Sequence, residues 1–452
     1  MLLALLLAIL AIPVLGQDAA RGVAAPPDDD LRVYTDAPRL FLTAGRLRLL
    51  QRERERKSLR WEQFDLLMSG GAKMPEPGFA GALYYRVSGD APSGRRAVEW
   101  ALGADVQDLP QLALVFDWCG PVMTAPQAEQ LGAKIQKALG GPPVADGGAG
   151  LGRQSAKVLA VMAIADRFPD HGEAVLKPIV AWWRALAAKL ETGDASIPRT
   201  DTYALFEMLH AIRDNLKIDL RDDAPRYFRD LPLDHMASHY PASFPTPENE
   251  YRVPVFVRDG DPDVNEASMS RVAELAMVAF DSNEAGNQYV QGWLMQDKFM
   301  MRPALGAPYE FLWANPYQPG LAFSQAPLIV HDPVSGHLFA RTSWDEDATW
   351  VGYFDGHLQL FRDGRITVLR TGATSEPVEI GGAVFLALAS QDADRFHVNH
   401  TETYVLGLAR SATYELEIDD EELSEGETDN GGTLLLKLPE GIDADVRIRK
   451  RP

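Results

Sequence analysis

Cysteine is almost absent from this 452-residue chain: Cys119 stands alone, so no intrachain disulfide can form and the fold must be held by its cores. Positive charge is scarce as well, with 44 lysines and arginines against 64 aspartates and glutamates and a formal net charge of −20. That balance excludes nucleic acid and anionic membrane surfaces as partners of the molecule as a whole, while leaving room for a locally basic cleft. Beyond residue 16 no apolar run approaches the length of a membrane span. Histidine is rare too, nine in all, and no two are separated by a single residue. The glycine-rich stretch 140–150 has no strand before it and no Lys-Ser or Lys-Thr after it, which excludes a phosphate loop, and Gly-x-Ser-x-Gly is missing.

What the chain does have is 46% hydrophobic residues, enough to bury sizeable cores, at a length that suggests two domains. The apolar run 1–16 ends in small and turn-forming residues and reads as a secretory signal peptide, followed by a charged, proline-containing linker over 17–35. The mature protein is then expected in the periplasm or secreted, with no membrane contact after cleavage.

From 36 to about 315 the pattern is helical. Thr43 is placed to cap a helix beginning at Ala44, and Leu47, Leu50, Leu59, Phe64 and Leu67 recur at helical spacing with a break near Ser58. Further helices are expected near 91–103, 108–118, 124–139, 151–168, 172–192, 199–215, 222–240, 264–283 and 287–301. Short connections make neighbours antiparallel, so these hairpins should stack into a solenoid or toroid. The loop 238–256 carries four prolines and several aromatics, too rigid for a simple connector.

From about 325 to 452 the period changes to two. Thr349, Val351 and Tyr353 alternate with Trp350, Gly352 and Phe354, and His357, Gln359 and Phe361 alternate with Leu358, Leu360 and Arg362. Asp363-Gly364 can supply positive φ at both turn positions and predicts a hairpin into Ile366–Leu369. The acidic run 415–427 lacks the spacing of a calcium loop and reads as a solvated strand edge.

Several side chains could carry chemistry. His235 and His239 are four apart, as in a zinc pair, but Met236 stands where a metalloprotease has glutamate; they read as a capping or packed pair, and no metal or other cofactor is expected. Tyr203, Glu207, His210 and Asp214 flank an apolar helical stripe of Leu205, Leu209 and Ile212. His397 and His400 fall on opposite faces of a strand. His331 and His337 flank the turn 332–336 and read as solvated, and Cys119 reads as core.

Five fragments, Pro38-Arg-Leu-Phe-Leu-Thr43, Leu114-Val-Phe-Asp-Trp-Cys119, Leu209-His-Ala-Ile-Arg-Asp-Asn215, Phe339-Ala-Arg-Thr-Ser-Trp344 with the residues to Trp350, and Asp355-Gly-His-Leu-Gln-Leu-Phe-Arg-Asp-Gly364, together resemble the heparinase II/III-like polysaccharide lyases over roughly residues 36–410. The resemblance implies an α+β multidomain fold: an incomplete (α/α) toroid of helical hairpins over 36–315, then an antiparallel β-sandwich over 325–452, with a saccharide cleft between them. It further implies β-elimination of uronic-acid polysaccharides, which needs a group to neutralise the carboxylate, a base for the C5 proton and an acid for the leaving oxygen. The family's pair of histidines one residue apart in the β half is not present. His357, in the family-like Asp-Gly-His context, is the candidate base. Tyr240 or Tyr251 are candidate acids, with His239 and His210 as further catalytic candidates. Asn249, Arg252, Tyr203 and Gln359 are candidate saccharide contacts. The other expectation is a non-catalytic saccharide-binding or structural envelope protein on the same scaffold.

Overall fold

The structure, a computed structural model, describes residues 30–451 apart from 34, 141–149, 244–251, 259, 297, 370–376, 389 and 421. The expected signal peptide and most of the linker lie outside these residues. So does most of the glycine-rich loop.

Among the described residues the first half is built of helices: α1 (Ala44–Glu55), α2 (Leu59–Ser69), α3 (Pro77–Ser88), α4 (Ala91–Leu102), α5 (Leu109–Trp118), α6 (Ala125–Leu139), α7 (Leu151–Ile164), α8 (Pro169–Thr192), α9 (Thr202–Leu216), α10 (Pro225–Ala237), α11 (Val264–Phe280), α12 (Ala285–Gln296) and α13 (Gly306–Trp313). Their starts follow from short polar side chains that accept from the otherwise unsatisfied first-turn amides. Thr43 caps α1, Ser58 caps α2, Asp90 caps α4 and Asp108 caps α5, while Thr124 and Gln127 form a reciprocal capping box on α6. The expected break at Ser58 is therefore a new helix start. Leu40, Phe41 and Leu42 are buried as a docked segment, with Asp117 accepting from the Arg39 and Leu40 amides at 2.8 and 2.9 Å.

Packing alternates. The odd-numbered helices α3, α5, α7, α9, α11 and α13 each lie against the next, and α13 returns to α2 and α3; α4, α6, α8, α10 and α12 lie against the flanks of this series. Helix α3 escapes the periodicity reading because Pro77, Gly78 and Gly81 look like loop residues. Their purpose is close approach: a Cβ on Gly78 would sit 2.2 Å from the Trp100 ring, and one on Gly81 would sit 3.2 Å from Ala97 of α4. Two strands also interrupt the helical half where none was expected. The chain leaves α10 at Ala237 and enters β1 (His239–Ser243), which pairs antiparallel with β2 (Arg252–Pro254). Prolines at 241 and 254 suit this isolated edge pairing.

The second half stacks three sheets. The first is an antiparallel meander of β3 (Ile329–Asp332), β4 (His337–Arg341), β5 (Trp350–Phe354), β6 (His357–Arg362) and β7 (Arg365–Leu369). Its two tightest turns, Asp355-Gly356 and Asp363-Gly364, both have positive φ at each residue, as type I′ hairpins require. Next come β8 (Val378–Ile380), β9 (Ala383–Ala387), β10 (Ala393–Val398), β11 (Glu402–Leu406), β12 (Thr413–Ile418), β13 (Glu422–Glu427), β14 (Leu434–Lys437) and β15 (Ala444–Lys450). They form a sheet of order β14-β11-β9-β8 and another of order β10-β15-β12-β13. Strands β9 and β11 pair in parallel, which departs from the all-antiparallel expectation: β10, between them in sequence, crosses into the outer sheet.

The alternation in β5 reports two buried faces rather than one. Val351 and Tyr353 pack with Phe385 and Tyr404 of the second sheet, whereas Trp350 and Phe354 pack with Ala237, Tyr240 and Val253 of the helical half. Trp350 has no exposed surface, and its indole N–H donates to the Ala237 carbonyl at 2.9 Å. Truncating it removes a large buried ring and one of two donors to that carbonyl, so Trp350→Ala is expected to destabilise the protein by about 3–5 kcal/mol. Urea denaturation with an unchanged slope and a lower midpoint would show this; an unchanged midpoint would mean that the sheet does not depend on this seam.

Candidate functional site

The seam between α10 and the first sheet opens into a polar cleft. Its helical wall is the turn Arg199–Asp201, the start of α9, and the face of α10 carrying Tyr227, Leu231, Asp234 and His235. Its sheet wall is His337, at the start of β4, and Asp355, in the β5–β6 turn. The two walls are tied by ion pairs. His337 Nδ1 is 3.6 Å from Asp234, its Nε2 is 3.5 Å from Asp355, and Arg199 Nη1 is 3.9 Å from the other Asp355 oxygen. The guanidinium of Arg199 also lies over the Phe354 ring at 5.3 Å.

These contacts set the charge states. Burial alone would lower His337, but Asp234 and Asp355 outweigh it and carry the imidazole up to about 9. Burial would raise Asp234, yet His337 and Arg199 hold it below its ordinary value. The interaction with His337 is the main reason that Asp355 is lowered as well. Burial, helped by Asp234, raises the Tyr227 phenol, which therefore stays protonated. His337 was expected to be solvated. It is instead largely buried because α10 closes over the hairpin, where Arg226 donates to both Asp332 oxygens at 3.1 Å. His331 meets Asp429 at 2.7 Å for the same reason, the approach of a distant turn.

The candidates named from sequence are dispersed around this cleft. His357 opens β6, is exposed, and sits opposite Phe354 across the turn that carries Asp355. Gln359 is buried, donating to the Phe256 carbonyl at 2.8 Å and accepting from the Tyr240 hydroxyl at 2.6 Å. Burial pushes Tyr240 up to about 12, so this pair is part of the seam packing. Arg252 lies in β2 with its Nε donating to the Pro241 carbonyl at 2.9 Å and its guanidinium over Trp293. His210 is enclosed between Trp313 and Phe280, at 4.5 and 4.9 Å between ring centroids, with Nε2 at 3.0 Å from the Ala276 carbonyl. Burial drives it well below the ordinary histidine value. Tyr203 faces Tyr309 in the helical interior, beside Glu207, whose carboxyl burial pushes up to about 8. Asn249 and Tyr251 lie outside the described residues. Cys119 is core, and burial pushes its thiol up to about 12.

One wall of the cleft continues inward. Behind His235 lie His239, Ser270 and Glu274, and among the described residues His235, His239 and Glu274 form a group of three able to offer one ligand atom each to a common centre. Burial lowers His239 to about 3, with the His235 ring adding to the effect. Glu274 is held down at about 2 despite its burial, by His235, His239 and Arg271. Arg199, Tyr227, Asp234 and Glu274 had no local signature, whereas Asp355-Gly356-His357 and the His235/His239 spacing were marked in advance and His337 was read as solvated. No family model matches this chain, and no curated protein matches it.

The His337 pairing gives a pH signature. The imidazole value is raised from 6.5 to about 9 in the folded protein, so its contribution is complete below pH 6.5 and is lost as pH rises through 9. The lowered aspartates contribute above their unfolded values and are lost only in acid. Stability should therefore fall by up to about 3 kcal/mol across the alkaline window. His337→Gln should flatten that fall. Glu207, raised from 4.5 to about 8, imposes its own decline on both proteins, so the difference between their urea midpoints isolates His337. Parallel pH profiles would contradict the pairing.

Proposed function

We propose that this protein acts on uronic-acid polysaccharide outside the cytoplasm, binding the chain in the cleft between an incomplete (α/α) toroid and a β-sandwich-like stack and cleaving it by β-elimination. The observation that carries this reading is the meeting of Arg199 and the charged His337 with Asp355, two residues before His357, at one cleft. The alternating series of helices, returning from α13 to α2 and α3, supports the toroid reading.

The chemistry follows from charge. A uronate C5 proton becomes removable only when the adjacent carboxylate is neutralised, and Arg199 with protonated His337 provides positive charge at the cleft. Asp355 is 61% exposed at its side chain and is the partner that a substrate carboxylate would displace. His357, exposed at the rim, is the base, and Tyr227, kept protonated in the cleft wall, is the acid for the leaving glycosidic oxygen. A second reading, saccharide binding without cleavage, is favoured by one observation: both cations are already paired within the protein.

Incubation with a panel of uronate polysaccharides, followed by the ultraviolet absorbance of the unsaturated product, separates these readings. Wild-type turnover is expected, with His357→Ala and Tyr227→Phe each lowering kcat by about 100-fold or more, and Arg199→Ala weakening both kcat and KM. Full turnover in the first two variants would remove their roles. Saccharide binding without product would establish the second reading, and neither binding nor product would overturn both.

A further inference from the structure

We propose that His235, His239 and Glu274, with the Ser270 hydroxyl as fourth donor, form a closed zinc site that pins the end of α10 and the start of β1 to α11. The proposal does not depend on the activity of the cleft. The donor atoms stand close together, at distances that include those between ligands of one small cation. Glu274 Oε1 lies 3.3 Å from His235 Nε2 and 3.4 Å from His239 Nε2. Ser270 Oγ lies 3.0 Å from His239 Nε2 and 3.3 Å from His235 Nε2. A charge-assisted hydrogen bond to a buried carboxylate closes to about 2.7–2.9 Å. A tetrahedron whose bonds are about 2.0–2.1 Å has edges of about 3.3–3.4 Å.

Proton bookkeeping points the same way. His239 Nδ1 is 2.7 Å from the His235 carbonyl, which can only accept, so in the neutral ring Nδ1 carries the proton and Nε2 presents its lone pair. That lone pair faces the Glu274 oxygen with no hydrogen between them. Ser270 can give its one proton to that lone pair and His235 Nε2 can give one to Glu274, so only the direct His239–Glu274 contact lacks a hydrogen, and a cation at the centre would face all four donor atoms. The surrounding groups are those of a supported site: the His235 carbonyl orients one imidazole, and Arg271 holds the second Glu274 oxygen at 3.3 Å.

The donor set selects the metal. Two imidazole nitrogens, one carboxylate oxygen and one hydroxyl suit zinc, whereas calcium and magnesium take oxygen shells. Arg271 and Arg341 add positive charge nearby, which opposes any divalent cation, so coordination by the two imidazoles has to be the source of affinity. His235, His239 and Glu274 are 4%, 1% and 2% exposed, the enclosure of a structural site rather than of one holding an open catalytic position.

The test uses the full chain purified without a metal-affinity step, incubated with zinc chloride, dialysed and submitted to elemental analysis. About one zinc per chain is expected, with no displacement by calcium chloride and a thermal midpoint that falls when a chelator strips the metal. His239→Gln and Glu274→Gln should weaken zinc binding by at least about 10-fold. Should either variant fail to fold, the wild type still answers: cobalt(II) added to the stripped protein should give the visible absorption of tetrahedral coordination. Absence of retained zinc together with absence of that absorption overturns the proposal, and so does zinc that stays bound equally in two folded variants.

Discussion

Everything near the cleft depends on how the carbonyls at the end of α10 are satisfied. Arg341, 1% exposed, donates through Nη2 to the Ala237 carbonyl at 3.0 Å and the His239 carbonyl at 2.8 Å, while Trp350 donates to Ala237 as well. The C-terminal end of a helix carries partial negative charge and orphan acceptors, so a buried guanidinium is well placed there. Arg341 is itself costly to bury, and that burial lowers it to about 9. Its compensation is the pair of carbonyls and the Trp344 ring 4.0 Å away. Because Arg341 belongs to β4 and Trp350 to β5, the first sheet is bolted to the point where α10 gives way to β1.

That junction divides two kinds of chemistry. Asp234 on the last turn of α10 reaches the cleft, where it meets the charged His337. His235 and His239 turn inward toward Glu274 and Ser270 on α11. The cleft is balanced by opposed ion pairs, whereas the inner group is enclosed, with the donor atoms of His235, His239 and Glu274 within 4.8 Å of one another. A helix that ended one residue earlier or later would redirect the chain at His239 away from His235 and Glu274.

The sheets explain why the strand half tolerates so little variation on either face. In β5 every residue is buried, because the first sheet is covered by helices on one side and by the second sheet on the other. Gly352 lies in the middle of that strand, where a Cβ would come 2.1 Å from the Trp350 ring. The glycine thus makes room for the indole that reaches Ala237, so a strand-interior residue with no side chain still serves the seam.

Local information determined a good part of this protein. The cap at Thr43, the helix starts near 108 and 124 and the Asp363-Gly364 hairpin were legible because each acts within a few residues of itself. The switch from helical to strand periodicity was legible for a similar reason, since burial imposes its period along a single element. Helix α3 and the β1–β2 pair were not, because glycines and prolines that mimic a loop are there to admit Trp100 and to end an edge. The functional groups were least legible of all. His235 and Glu274 are 39 positions apart on different helices, and Arg199 of the helical half meets Asp355 of the strand half. Charge states and ligand geometry are properties of distances between such residues. Sequence determined which side chains were available and which element each rides on; only the docking of the sheet onto α10 decided which of them meet.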